Sequence, residues 1–214
     1  MQVSGRRLGI VVAWWLAVPG AATAGPPAPA GAPLRAVEID LASLAPLTRA
    51  TMRRELGLVL APVPLAVSWR TAPAGGETRP DELSLVFLSM RGVGHDRGAL
   101  ASTANQGKVR TTWIYLPTVE ATLELDPESV TTSFDAQRLV GVALGRVLAH
   151  EIVHAVAPTV EHAGTGLMRP RLHAFELVRG RPALEGDFAA RLAAGANDWL
   201  AQAAPPVAPV PDPR

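Results

Sequence analysis

The chain has no cysteine in its 214 residues. That absence removes a disulfide framework, a thiolate metal site and a cysteine nucleophile, and with them any thiol-based latency switch. Charge is sparse as well. Asp, Glu, Lys and Arg make up 18% of the residues, and the formal balance is +1 at pH 7. A chain so close to neutral gives no reason to expect a nucleic-acid surface. No period of the length that marks solenoids or propellers runs through it. What is present is apolar: 48% of the residues, much of it Ala, Val and Leu. The length suits one domain with a sizeable core.

Both ends read as lying outside that domain. Arg6 and Arg7 precede an apolar run at residues 8–16 that contains Trp14 and Trp15. Pro19 and Gly20 break the run, and Ala22, Thr23 and Ala24 offer small residues for cleavage before Gly25. This is the layout of a secretory signal peptide over residues 1–24, and its apolar part is short for a membrane span. The expectation is an exported chain, periplasmic or extracellular, with no stable membrane span after cleavage. Residues 25–34 form a Pro/Ala/Gly linker and residues 203–214 a Pro-rich disordered tail. The domain is expected over residues 35–202.

Within it the hydrophobic period changes in a clear order. Val37, Ile39 and Leu41 alternate with Glu38 and Asp40, which predicts a half-buried strand. Pro46 opens a helical stretch with Leu47, Met52, Leu56 and Val59 as core candidates, closed by Pro62 and Pro64. Residues 65–69 and 83–88 read as strands, the second apolar enough to be central. A Gly-rich loop over residues 91–98 carries His95 and Asp96, which could hold a structural ion but read more simply as a solvated loop. A short strand is expected at 99–104 and a stronger one at 111–116, stopped by Pro117. A long loop follows.

A helix start of the S/T-x-x-D/E form at residues 132–135 then leads into an almost wholly apolar segment ending at Pro158. Such a segment is a buried central helix, and Gly141 and Gly145 allow something to pack closely against it. The last helix is expected over residues 184–200, with Phe188, Leu192 and Trp199 packing inward. The implied fold class is α+β, a mixed twisted sheet of about five strands with a buried active-site helix and a C-terminal helix.

The buried helix carries the chemistry. Residues 150–154 read His-Glu-Ile-Val-His. In a chain with 5 histidines, chance assembly of H-E-x-x-H comes to under about 1%. Positions i and i+4 lie one turn apart on one helix face, so His150 and His154 can hold one Zn²⁺ at roughly 2.0–2.1 Å each. Glu151 then stands at the flank of the metal, placed to take a proton from a water and pass it to a leaving amine. A catalytic zinc site needs a third protein ligand. His162, eight residues on and past Pro158, is the nearest candidate. Glu176 is its main rival, with Glu161 and His173 behind it.

The run HEIVHAVAPTVEHAGTGLM resembles the active-site segment of the metzincin zinc peptidases, whose pattern is H-E-x-x-H-x-x-G-x-x-H followed by a turn with a methionine. The resemblance implies His150, His154 and His162 as zinc ligands, Glu151 as general base and Met168 as the turn methionine. It also implies a metzincin-like order of elements over residues 35–202 and a peptide or protein substrate lying along an edge strand near residues 98–104. There are two departures. The family's glycine falls on Ala157, and its third histidine falls on Val160, two residues before His162. A glutamate on a later helix, Glu176, would instead resemble the gluzincin class. The expected activity is zinc-dependent peptide hydrolysis. The alternative is a zinc-binding or interaction domain without turnover.

Overall fold

Prolines and short polar caps set the ends of the elements. Pro46 and Pro117 each stand in the first turn of a helix, where the missing N–H has no partner to lose and the fixed φ suits the turn. The computed structural model describes residues 33–92, 98–106, 109–180, 184 and 187–203. The leader read at residues 1–24, the linker up to residue 32, the His95–Asp96 loop and the tail from residue 204 lie outside the described residues.

The elements are β1 (Leu34–Asp40), α1 (Pro46–Leu60), β2 (Val67–Thr71), β3 (Glu82–Leu88), β4 (Ala101–Gln106), β5 (Val109–Tyr115), α2 (Leu116–Thr122), α3 (Pro127–Thr132), α4 (Phe134–Val156), α5 (Ala174–Val178) and α6 (Phe188–Ala203). The fold is α+β with a five-stranded mixed sheet in the order β2-β1-β3-β5-β4. The strands β1, β2, β3 and β5 run parallel, and β4 pairs antiparallel with β5 at one edge. The apolar strand β3 is central, as its composition predicts. One face of the sheet packs on α1 and α4 through Leu34, Ala36, Leu83, Leu85, Phe87 and Ile114.

Three sequence expectations need correcting. First, β1 is buried along most of its length rather than half-buried, and the face it turns to the main core is Leu34–Ala36–Glu38, not Val37–Ile39–Leu41. Val37 and Ile39 join a smaller cluster with Ala72 and Val86, while Leu41 lies beyond the strand and is exposed. Glu38 misleads the pattern because it is a buried carboxylate, held by Arg49 at 2.5 Å and Arg53 at 2.7 Å from α1. Second, the long loop after β5 contains two short helices. Pro117 ends the strand by starting α2, and Asp126 caps α3 by accepting from the Ser129 N–H at 3.2 Å. Third, α6 begins at Phe188, later than expected, with Leu192 and Trp199 buried as expected.

The helix α4 is the spine. It is capped by Ser133, whose hydroxyl accepts from the Ala136 N–H at 3.3 Å. Its length and composition would suit a membrane span, yet 83% of its apolar window is buried inside the protein. Gly141 and Gly145 bring it against α1 at backbone distance. A Cβ added at Gly145 would stand 2.8 Å from the Met52 carbonyl oxygen and 2.7 Å from the Glu55 Cβ, and one at Gly141 would stand 2.7 Å from the Thr48 carbonyl oxygen. Neither glycine needs an unusual φ; each is there because no larger side chain fits between the helices.

The apolar length of α4 carries one buried cation, Arg146, 4% exposed. It donates to Glu55 of α1 at 2.8 Å and to the carbonyls of Glu176, Arg179 and Gly180 at 2.7–2.9 Å. This guanidinium therefore ties α1, α4 and the chain end of α5 together. A cation is also the favoured partner for such orphan carbonyls at a helix C-terminus.

Candidate metal centre

The last two turns of α4 present His150 and His154 on one face, with their Nε2 atoms 3.1 Å apart. Pro158 ends the helix. The C-cap, Ala157, has φ −127 and ψ 71, so the exit needs no left-handed residue and an alanine serves where the metzincin pattern has glycine. The chain then doubles back. The Val160 N–H donates to the Ala157 carbonyl at 2.9 Å and Val160 is buried, while Glu161 and His162 after it are exposed. A second turn closes through Ala163 N–H to Met168 carbonyl at 2.7 Å, with Gly166 at φ 68 as its left-handed corner. His162 Nε2 lies 3.2 Å from His154 Nε2.

The ligand atoms of His150, His154 and His162 all lie within 4.8 Å of one another, and they could hold a metal ion. Two nitrogens bound to one tetrahedral Zn²⁺ would be separated by roughly 3.3 Å, close to the 3.1 and 3.2 Å that His154 keeps from the other two rings. Hydrogen bonding alone does not account for the cluster. His150 Nδ1 faces the Leu167 carbonyl at 2.8 Å, and a neutral ring that donates there leaves Nε2 as a bare lone pair. His154 Nε2 then has one proton at most for two neighbours. No neutral set of protons serves both contacts, whereas a cation among the three lone pairs does.

The electrostatics favour that neutral, ligating form. Burial pushes His150 below its ordinary value, against the pull of the Leu167 carbonyl. His154 is pushed down to about 4, first by burial and then by the charges His150 and His162 would carry. His162 is lowered too, again mainly by burial. The three rings therefore offer lone pairs at pH 7.

Glu151 is buried at the foot of a cavity of about 750 Å³ that also exposes the three histidines. Burial pushes its carboxyl above the ordinary range, opposed by a hydrogen bond from Thr103 and the charge of His162. The Thr103 hydroxyl of β4 donates to Glu151 Oε2 at 2.6 Å. Residues 169–173 also line this cavity. Two more residues fix the end of α4 against the sheet: Asn105 Nδ2 donates to the His154 carbonyl at 3.2 Å, and Arg110 donates to the Ala155 carbonyl. The Arg110 guanidinium also lies 4.5 Å over the Trp199 ring, so α6 is tied to the same corner.

The rival ligands are placed elsewhere. The Glu176 carboxylate accepts from Arg169 and from the His173 N–H at 3.1 Å, which caps α5 and keeps it out of the cluster. His173 lies on the cavity wall without joining the three ligand atoms, and Glu161 is exposed and outside the group. Met168 is 2% exposed and belongs to the main core. Thr103 lines the cavity and Asn105 and Arg110 hold the end of α4, and sequence reasoning missed all three. Their one sequence signal is alternation on β4 and β5, which cannot say what the inward face meets.

In comparison with known proteins, no family model, no curated protein and no solved structure matches the chain.

Proposed function

We propose that the chain is an exported zinc-dependent peptidase of metzincin type, with His150, His154 and His162 as metal ligands and Glu151 as general base. The observation that carries this reading is the convergence of three neutral imidazole nitrogens beside a buried carboxylate, in an open cavity flanked by a sheet edge. The resemblance of HEIVHAVAPTVEHAGTGLM to the metzincin segment supports it, and so does a third histidine that reaches the cluster despite its later position.

Zinc held by the three histidines would supply Lewis-acid polarisation of the scissile carbonyl and a more acidic attacking water. The chain supplies the rest. Glu151 takes the proton from the water and returns it to the departing nitrogen. Burial raises its carboxyl above the ordinary range, which helps it keep the proton between the two transfers. Among the described residues the strand β4 pairs with one neighbour only, so its other edge offers backbone groups to an extended peptide.

The test is cleavage of an unfolded protein by the purified chain with and without a chelator. Cleavage is expected to stop with the chelator and return with added zinc. A zinc-loaded chain that cleaves no protein or peptide would leave a binding module and sink the peptidase reading.

A further inference from the structure

Resting on the peptidase reading above, we infer that Thr103, backed by Thr112, positions Glu151 from the strand that receives the substrate, so that strand pairing and base alignment occur as one event. Thr103 Oγ1 lies 2.6 Å from Glu151 Oε2 and 2.7 Å from Thr112 Oγ1. A threonine has one hydroxyl proton, and an ionised carboxylate only accepts. Thr103 therefore gives its proton to Glu151, and Thr112 gives its own to Thr103. The two threonines face each other directly across β4 and β5.

The ends of this relay sit differently in the sheet. Thr112 is fully buried on β5, which is paired on both sides. Thr103 is on the edge strand β4, which among the described residues has no strand paired on its other side and which borders the cavity. An extended peptide added to that side takes up the free backbone groups of β4 and stiffens it, and the Thr103 hydroxyl moves with that backbone. Binding energy from parts of the substrate far from the scissile bond is thereby spent on aligning the base, so it shows in kcat and not in KM alone.

The experiment uses the full zinc-loaded chain and two peptides sharing one cleavage site. One is long enough to run along the six residues of β4, and the other is truncated around the scissile bond. The wild type is expected to turn over the long peptide with the higher kcat. Thr103→Val is expected to lower kcat on the long peptide by roughly 10²-fold, the scale of a base misplaced by about 1 Å, with little change in KM and no remaining advantage over the short peptide. Thr103→Ser keeps the hydroxyl and is expected to restore both.

Thr103→Val strands the buried Thr112 hydroxyl, so the double variant Thr103→Val/Thr112→Val provides a core free of orphaned groups. Crystal structures of both variants need no turnover and are expected to show the Glu151 carboxylate turned from its present position. A folded double variant with wild-type kcat, a wild type whose kcat ignores peptide length, or a Glu151 carboxylate unmoved in both variants would overturn the inference. If the wild type cleaves nothing, the peptidase reading has failed, and the Glu151 position in the variants still decides whether Thr103 holds it.

Discussion

Glu151→Gln is expected to lose about 10²–10⁴-fold in kcat, the usual worth of a general acid–base residue, while binding the same amount of zinc. The two halves of this prediction have separate causes. The metal depends on His150, His154 and His162, whose ligand atoms form the cluster without Glu151. The rate depends on a group that can hold a proton between water and leaving nitrogen, which an amide cannot do. Glutamine has nearly the same shape and can still accept from the Thr103 hydroxyl through its carbonyl oxygen. It also removes a carboxylate whose charge is disfavoured by burial, so the thermal midpoint should hold or rise. Steady-state kinetics, elemental analysis and a melting curve on one preparation check all three. A Glu151→Gln variant with wild-type kcat would end the proposed mechanism.

Arg146→Met is expected to cost about 3–5 kcal/mol of stability, because it leaves a buried carboxylate without its counter-charge. The Glu55 side chain is 12% exposed, and the carbonyls of Glu176, Arg179 and Gly180 lose their donors in the same step. Removing the acid as well, in Arg146→Met/Glu55→Met, should recover part of the loss but not all of it, since the three carbonyls stay unpartnered. Urea unfolding of the two variants reads both quantities. The site should feel the change as well, because Arg146 is one turn before His150 and anchors the segment that follows cavity residues 169–173. A single variant within about 1 kcal/mol of wild type would mean that the guanidinium does not tie its four partners together.

The sequence made the spine of the protein legible because its patterns there have one physical reading each. An apolar run too long for a strand, begun by a Ser133 cap and ended at Pro158, is a buried helix. Gly141 and Gly145 on it mark the close approach of α1. The His150–His154 pair follows from helical geometry alone. His162 was harder to place, since its position depends on how the chain leaves the helix, and Ala157, the buried Val160 and Gly166 settle that only in three dimensions. Glu38 was misread because a charged residue in a strand normally points to solvent, and only the fold brings Arg49 and Arg53 to it. Thr103 was missed for a related reason. An edge-strand threonine is ordinary until the sheet places it 2.6 Å from a carboxylate 48 residues away.

Metal content decides whether His150, His154 and His162 together hold one zinc ion. Elemental analysis of the purified chain after dialysis is expected to give one zinc per chain. His162→Ala, which changes the most exposed ligand and leaves α4 intact, is expected to lose most of it. Glu176→Gln is expected to keep it all. A wild-type chain without stoichiometric zinc, or a His162→Ala variant that retains it in full, would contradict the account.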